Sequence, residues 1–314
     1  MTATLDPFIL EYAPGPVVAL HPAIGRLRAA ARATIDELGR VEDDQLTSLW
    51  VWDGNEINVR YGFYRALETI ERAGHSVGQA TADLASGEAR DAVAATTLAR
   101  WDLDGLLAGL SHDDLDADPG GGEWTIRQTL GHIIGGQRGY AWGSAYWLHV
   151  RDEPRKDGRQ RPPEELFTAL PEDDEEATGS LEEVRQKLHD VVDATSSRYA
   201  TLTDADMAVM GGWYGFPVTI GFRMWRWPSH IEEHTVQLEK TMAMLGQHPT
   251  EVARLLRLIA RAYGRLEALV FGHSPQDLDV TRAAEQLEGM TRALDGLASA
   301  IRAAADAGVP GPPD

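Results

Sequence analysis

The run W-P-S-H-I-E-E-H places His230 and His234 four residues apart. On an α-helix, residues i and i+4 lie one above the other on the same face, so both imidazoles can reach one point in space, as two ligands of a single metal ion must. Pro228 suits the first turn of a helix, where its missing N–H would have no partner anyway. The spacing therefore predicts a helix over about 228–245 with both histidines in its first two turns. Ten histidines scattered over 314 residues would give roughly 0.3 such pairs by chance, so the pair alone is weak evidence. It gains weight from a segment well upstream, G-E-W-T-I-R-Q-T-L-G-H-I, which carries His132.

The neighbours of these histidines offer further chemistry. Glu233 directly precedes His234 and can point near a shared metal as a general base; its plainer role is an exposed carboxylate or one that orients a histidine. Gln237 lies one turn past His234 on the same face, and with Trp124 it is a candidate for contacting a bound cofactor or cosubstrate. Continuing the face of His132 brings up Gly136, Gly139 and Gly143, with Gly135 beside them. Each mid-helix glycine costs about 1 kcal/mol relative to alanine, so the row calls for a reason. Close approach of another helix is the better one, since a cavity wall does not need glycine. Tyr140, Trp142, Trp147, Trp213, Trp225 and Trp227 fall in the same stretches, as core packing or as an aromatic rim on a small-molecule pocket. His149 is about 25 Å from His132 by helical rise, too far to share a site. His21, His75, His112, His189, His248 and His273 have no metal-like spacing and read as surface or packing residues.

The elements that must hold these residues are helical nearly throughout. Apolar residues recur at helical spacing over 19–40, 56–84 and 89–110, and the segment S-H-D-D-L-D-A-D-P-G-G-G then breaks the chain. Thr125 with Gln128 forms a capping box opening a helix to about 149, and Ser180 with Glu183 opens another to about 202. Between them, the Pro- and charge-rich stretch 151–179, with E-D-D-E-E at 172–176, reads as a mobile, solvated loop. Residues 203–224 read as irregular or briefly extended, and helices follow the histidine segment at 250–271 and 280–307. The class is all-α. The four helices from 89 to 246 group as a bundle, and the pairs before and after it need to bury their apolar faces, which predicts contact between 17–85 and 250–307. Residues 309–314, P-G-P-P-D at the end, read as a disordered tail. The segment L-W-V-W-D-G-N-E-I-N-V-R-Y-G-F-Y-R weakly echoes G-E-W-T-I-R-Q-T-L-G-H-I-I-G-G-Q-R-G-Y as a Trp, a turn and a long helix, without a counterpart of His132.

Composition excludes several classes. A net charge of −20 argues against nucleic acid as a partner, because binding it requires Lys and Arg to displace condensed counterions. Zero cysteines remove any cysteine nucleophile, thiolate ligand or disulfide and fit a reducing compartment. No run of 18 apolar residues and no basic n-region with a long apolar stretch is present, so the expectation is a cytoplasmic protein without membrane partners.

With these residues in place, the chain resembles the DinB/YfiT-like superfamily of metal-binding four-helix bundles, through G-E-W-T-x-x-x-x-L-x-H-I and the later H-x-x-x-H. The resemblance covers about 89–246. It implies a DinB-like bundle at 87–247; the pairs at 1–86 and 248–308 fall outside it and are expected, from their apolar faces, to form an additional helical bundle. It further implies that His132, His230 and His234 bind one divalent metal: zinc, alternatively nickel or iron. Three neutral imidazoles suit these ions and leave at least one position open. Mycothiol-dependent maleylpyruvate isomerases and thiol S-transferases belong to that superfamily, so the resemblance implies activation of a low-molecular-weight thiol toward a small electrophile or an isomerisation. Two other readings compete. One is a non-catalytic metal-binding stress or interaction module whose flanking bundle serves a partner or a homodimer. The other takes H-I-E-E-H as the H-x-x-E-H signature of zinc peptidases, with Glu267, Glu285 or Glu288 as the further ligand.

Overall fold

The computed structural model describes residues 22–82, 87–153, 162, 170–271 and 280–312. In chain order the elements are α1 (Pro22–Leu38), a hairpin of β1 (Leu49–Trp52) and β2 (Asn55–Asn58), α2 (Val59–Thr81), α3 (Glu88–Leu107), α4 (Ile126–His149), α5 (Asp173–Glu176), α6 (Leu181–Tyr199), α7 (Asp204–Met207), a second hairpin of β3 (Met210–Trp213) and β4 (Phe216–Thr219), α8 (Ile220–Met244), α9 (Glu251–Val270) and α10 (Val280–Ala307). The all-α class holds, with two small antiparallel hairpins as the only sheets among the described residues.

The chain divides into two compact units, one made of 85–100 and 111–247, the other of 20–84, 101–110 and 248–314, apart from the first nineteen residues. In the second of these, Ile24, Leu27 and Ile35 of α1, Phe63 and Ile70 of α2, Leu256, Ile259 and Tyr263 of α9, and Leu294 and Ile301 of α10 form one buried cluster. Trp101 joins it edge-on to Tyr263 at 4.5 Å, and Arg28 reaches the fully buried Glu267 at 2.7 Å. The segment expected to be a free tail is tied down as far as it is described. Leu49 N–H donates to the Val309 carbonyl at 2.6 Å and Gly311 N–H to the Thr47 carbonyl at 2.9 Å, because β1 is an edge strand whose backbone groups need partners. Residues 313–314 lie outside the described residues.

The other unit holds the histidines. Its α4 opens on the predicted capping box, with Gln128 N–H donating to Thr125 Oγ1 and Thr125 N–H to Gln128 Oε1. It packs against α8, α6 and α5. Gln137 of α4 donates to Thr195 of α6 at 2.8 Å, and Tyr199 donates to the Ala141 carbonyl at 2.5 Å, fixing the two helices in register through buried polar groups.

Two local readings are corrected. The histidine helix begins at Ile220, two turns before Pro228, so His230 and His234 sit in mid-helix. Thr219 supplies the cap by accepting from Phe222 N–H at 3.0 Å, and the fully buried face of Ile220, Met224 and Trp227 carries the helix through a proline that removes only one ladder bond. The acidic run 172–176, in turn, is exposed through Glu175 but is not loop: it caps and forms α5, and Glu176 is completely buried between Arg138 at 2.6 Å and Lys187 at 2.9 Å. The remainder of the predicted loop, 154–161 and 163–169, lies outside the described residues.

The echo of residues 49–65 also has a different partner. Both hairpins share one register, Leu49↔Asn58 to Trp52↔Asn55 and Met210↔Thr219 to Trp213↔Phe216. Each tip follows a Trp with two left-handed residues, Asp53 (φ 51°) and Gly54 (φ 77°), or Tyr214 (φ 47°) and Gly215 (φ 84°), the geometry of a primed hairpin turn. Each runs directly into a capped helix, α2 or α8. In that alignment Thr69 and Ala73 stand where α8 has His230 and His234, so the first hairpin and helix have no imidazole at either of those positions.

Candidate metal centre

α4 and α8 bring His132, His230 and His234 together, with one ligand nitrogen of each lying within 4.8 Å of the others. Nε2 of His132 and Nε2 of His230 are 3.3 Å apart. His230 is buried; the other two are half-buried. The outer nitrogens have acceptors of their own: Asp173 Oδ2 is 2.8 Å from His132 Nδ1, and Gln237 Oε1 is 2.7 Å from His234 Nδ1. An acceptor at Nδ1 holds the proton there and leaves the Nε2 lone pair facing the centre, the way metal-ligating histidines are ordinarily oriented. Burial pushes the pKa of His230 down to about 3, helped by His234, His132 and Arg226, and burial lowers that of His234 as well. Both rings are therefore neutral donors at neutral pH. Converging neutral imidazoles with buttressed far sides fit a divalent ion of the zinc, nickel or iron kind.

The glycine row explains how the rings come so close. A Cβ at Gly136 would lie 2.5 Å from Cε1 of His230, and one at Gly135 would lie 2.3 Å from Oδ1 of Asp173. At Gly131 it would meet the Asp173 backbone oxygen at 2.1 Å. Glycine thus admits a ligand from α8 and, from α5, the carboxylate that supports His132. Gly139 differs, with nothing within 4 Å of a built Cβ: it faces a cavity of about 450 Å³ that His132 and His230 line at one end. Tyr140, Trp213, Tyr214 and Arg223 form more of its wall. Both explanations for the row, close packing and a cavity wall, apply to different members of it.

The remaining candidates are placed as follows. Glu233 accepts from Arg226 at 2.9 Å on a largely exposed side chain, and that hydrogen bond holds its carboxyl below the usual range. Gln237 backs His234, and Trp124 stacks on the His234 ring at 6.4 Å and meets the His132 ring edge-on at 5.1 Å. His75, His112, His149 and His248 are exposed and His189 is buried; His21 and His273 lie outside the described residues. Glu267 and Glu288 are engaged by Arg28 and Arg26, and Glu285 is exposed. Asp173 is the site residue that sequence reasoning missed. It sits in an acidic run whose composition resembles any solvated loop, and no spacing in the sequence connects it with His132.

A helical bundle presenting three converging imidazoles beside a cavity is the class that this fold and site define: a bundle protein with a group able to hold a metal ion. Residues 95–238 match the family model of the DinB superfamily. Neither the curated proteins nor the solved structures contain a match to the chain.

Proposed function

We propose that the protein is a divalent-metal-dependent enzyme that activates a low-molecular-weight thiol for transfer to a small electrophile or for an isomerisation. The observation that carries this reading is the cavity itself, which runs up to His132 and His230 and so gives a small molecule access to the point on which the three imidazoles converge. When bound there, a divalent ion lowers the pKa of a coordinated thiol and polarises a carbonyl.

The chain's own residues supply the rest. His132, His230 and His234 would hold the ion through ring nitrogens, and Asp173 and Gln237 accept from the far sides of two of them and so favour the required tautomer. Glycine at 139, with open space at its Cβ, keeps the cavity wall low beside the histidines. In a transfer, the thiol sulfur bonds to the electrophilic carbon, the leaving group departs with the bonding pair, and the S–H proton passes to solvent through the cavity mouth. Glu233, already paired with Arg226, is not required as a base in this scheme. The absence of cysteine means that the thiol comes from outside the chain.

The test is turnover by the metal-loaded protein with mycothiol, bacillithiol or glutathione against monochlorobimane and maleylpyruvate. A rate with one of these thiols that disappears in His132→Ala supports the proposal. A metal-loaded protein with no thiol-dependent rate above background would instead favour a non-catalytic metal-binding module.

A further inference from the structure

The cavity beside the histidines is also lined by a buried cation. Arg223 projects from α8 two turns before His230 and is 6% exposed. One Nη donates to the Gly212 carbonyl, and the other lies against α4 at Gly143, where a Cβ would be 2.8 Å from it. Its Nε has no hydrogen-bond partner, and among the described residues no carboxylate stands within ion-pair distance of the guanidinium. Three other buried arginines of this unit behave differently: Arg100 pairs with Asp193, Arg138 with Glu176 and Arg185 with Glu182. The Gly212 carbonyl already accepts from the Trp147 indole at 3.2 Å, so satisfying it does not require a charged donor. A charge withdrawn from water without a counter-charge is costly, and burial pulls the pKa of Arg223 down to about 10, with Tyr140 and Tyr199 opposing the shift. A cation held in this way has a use when its counter-charge arrives with a ligand.

We propose that Arg223 anchors the carboxylate of a small organic acid in this cavity, with the other end of the acid directed toward His132 and His230. The orientation rests on the metal-dependent reading of the histidine centre; the anion site does not. Seven residues of helix separate Arg223 from His230, about 10 Å along the axis, a span suited to a short acid rather than a polymer. A guanidinium presents a planar fork that matches a carboxylate through two parallel hydrogen bonds. One guanidinium balances one negative charge, which favours a monoanionic carboxylate over a phosphate monoester carrying about −1.5 to −2. Gly143 allows the fork to lie flat against α4, as Gly136 does for the His230 ring.

The experiment is calorimetric titration of the full-length, metal-free protein with hexanoate, hexan-1-ol and inorganic phosphate. Hexanoate is expected to bind roughly ten- to a hundredfold more tightly than the other two, as a charge-assisted pair at a buried site should. Arg223→Met should abolish that preference and Arg223→Lys should retain part of it. Because Arg223→Met also removes the bond to Gly212, Gly143→Ala provides a second variant: it keeps the arginine, crowds its Nη and should weaken hexanoate binding as well. His234→Ala should bind hexanoate like the wild type while losing metal, so failure of the metal reading and failure of this one are separable. Equal binding of hexanoate and hexan-1-ol, a preference for phosphate, or an unchanged preference in both Arg223→Met and Gly143→Ala would overturn the assignment.

Discussion

At the scale of single residues, the site consists of three donors and the groups that aim them. His234→Ala should abolish stoichiometric binding of a divalent metal, whereas His149→Ala, an exposed change at the far end of α4, should not; elemental analysis of protein purified without a nickel column reads both. Asp173→Asn should lower metal affinity by about ten- to a hundredfold, because it weakens the acceptor that orients His132. Protonation gives a further check. The folded-state pKa of His230 lies far below its ordinary value, so between about 6.5 and 3 the unfolded chain binds a proton that the folded chain refuses. The metal-free protein should therefore lose stability as pH falls from about 6.5, seen as a falling urea midpoint. His230→Gln should flatten that dependence. The pair His230–His234 and the upstream His132 were legible because ligand chemistry imposes a helical spacing and a short motif. Asp173 and Arg223 were not, because each acts through a contact between elements far apart in sequence.

At the scale of elements, the approach of α4 and α8 depends on the absence of side chains. Gly136→Ala would place a methyl group 2.5 Å from the His230 ring, and overpacking of this kind typically costs about 1–3 kcal/mol. The expected outcome is a lower thermal midpoint together with weaker metal binding, since relief requires the ring to move. Gly139→Ala, with open space at its Cβ, should leave the fold intact. The glycine row was visible in the sequence, but which members receive a neighbour and which face a cavity depends on where α5 and α8 lie. The start of α8 was misplaced for a related reason. Pro228 is a local signal, and it was outweighed by a cap at Thr219 and by the buried face of Trp227 and Met224. α5 escaped prediction because E-D-D-E-E has no apolar period; what orders it is the burial of one member, Glu176, against Arg138 and Lys187. Replacing Glu176 by alanine should cost about 3–5 kcal/mol, as loss of one partner from a buried ion pair does, and should loosen Asp173 with it; denaturant unfolding and metal titration together would show both effects.

At the scale of the whole molecule, one unit carries the chemistry and the other is assembled from helices drawn from both sides of it in sequence. α1 and α2 share their core with α9 and α10. Helical periodicity showed where these helices lie, yet a period cannot state which faces meet. The two hairpins with one register were equally concealed, since W-D-G-N and W-Y-G-F share little besides a tryptophan and the glycine of the turn. This arrangement of the second unit bears on the order of events at the ribosome. α1 and α2 are made before α9 and α10, the helices that cover them, which follow only after the histidine-bearing stretch 111–247 has been translated, on the order of ten seconds or more at ordinary elongation rates. During that interval Ile24, Leu27, Phe63 and Ile70 have no finished core to enter, while both described segments of the histidine unit, 85–100 and 111–247, are already translated. The nascent chain should therefore acquire its chemical centre before the core of the other unit, with α1 and α2 waiting as an exposed, chaperone-accessible part of the molecule.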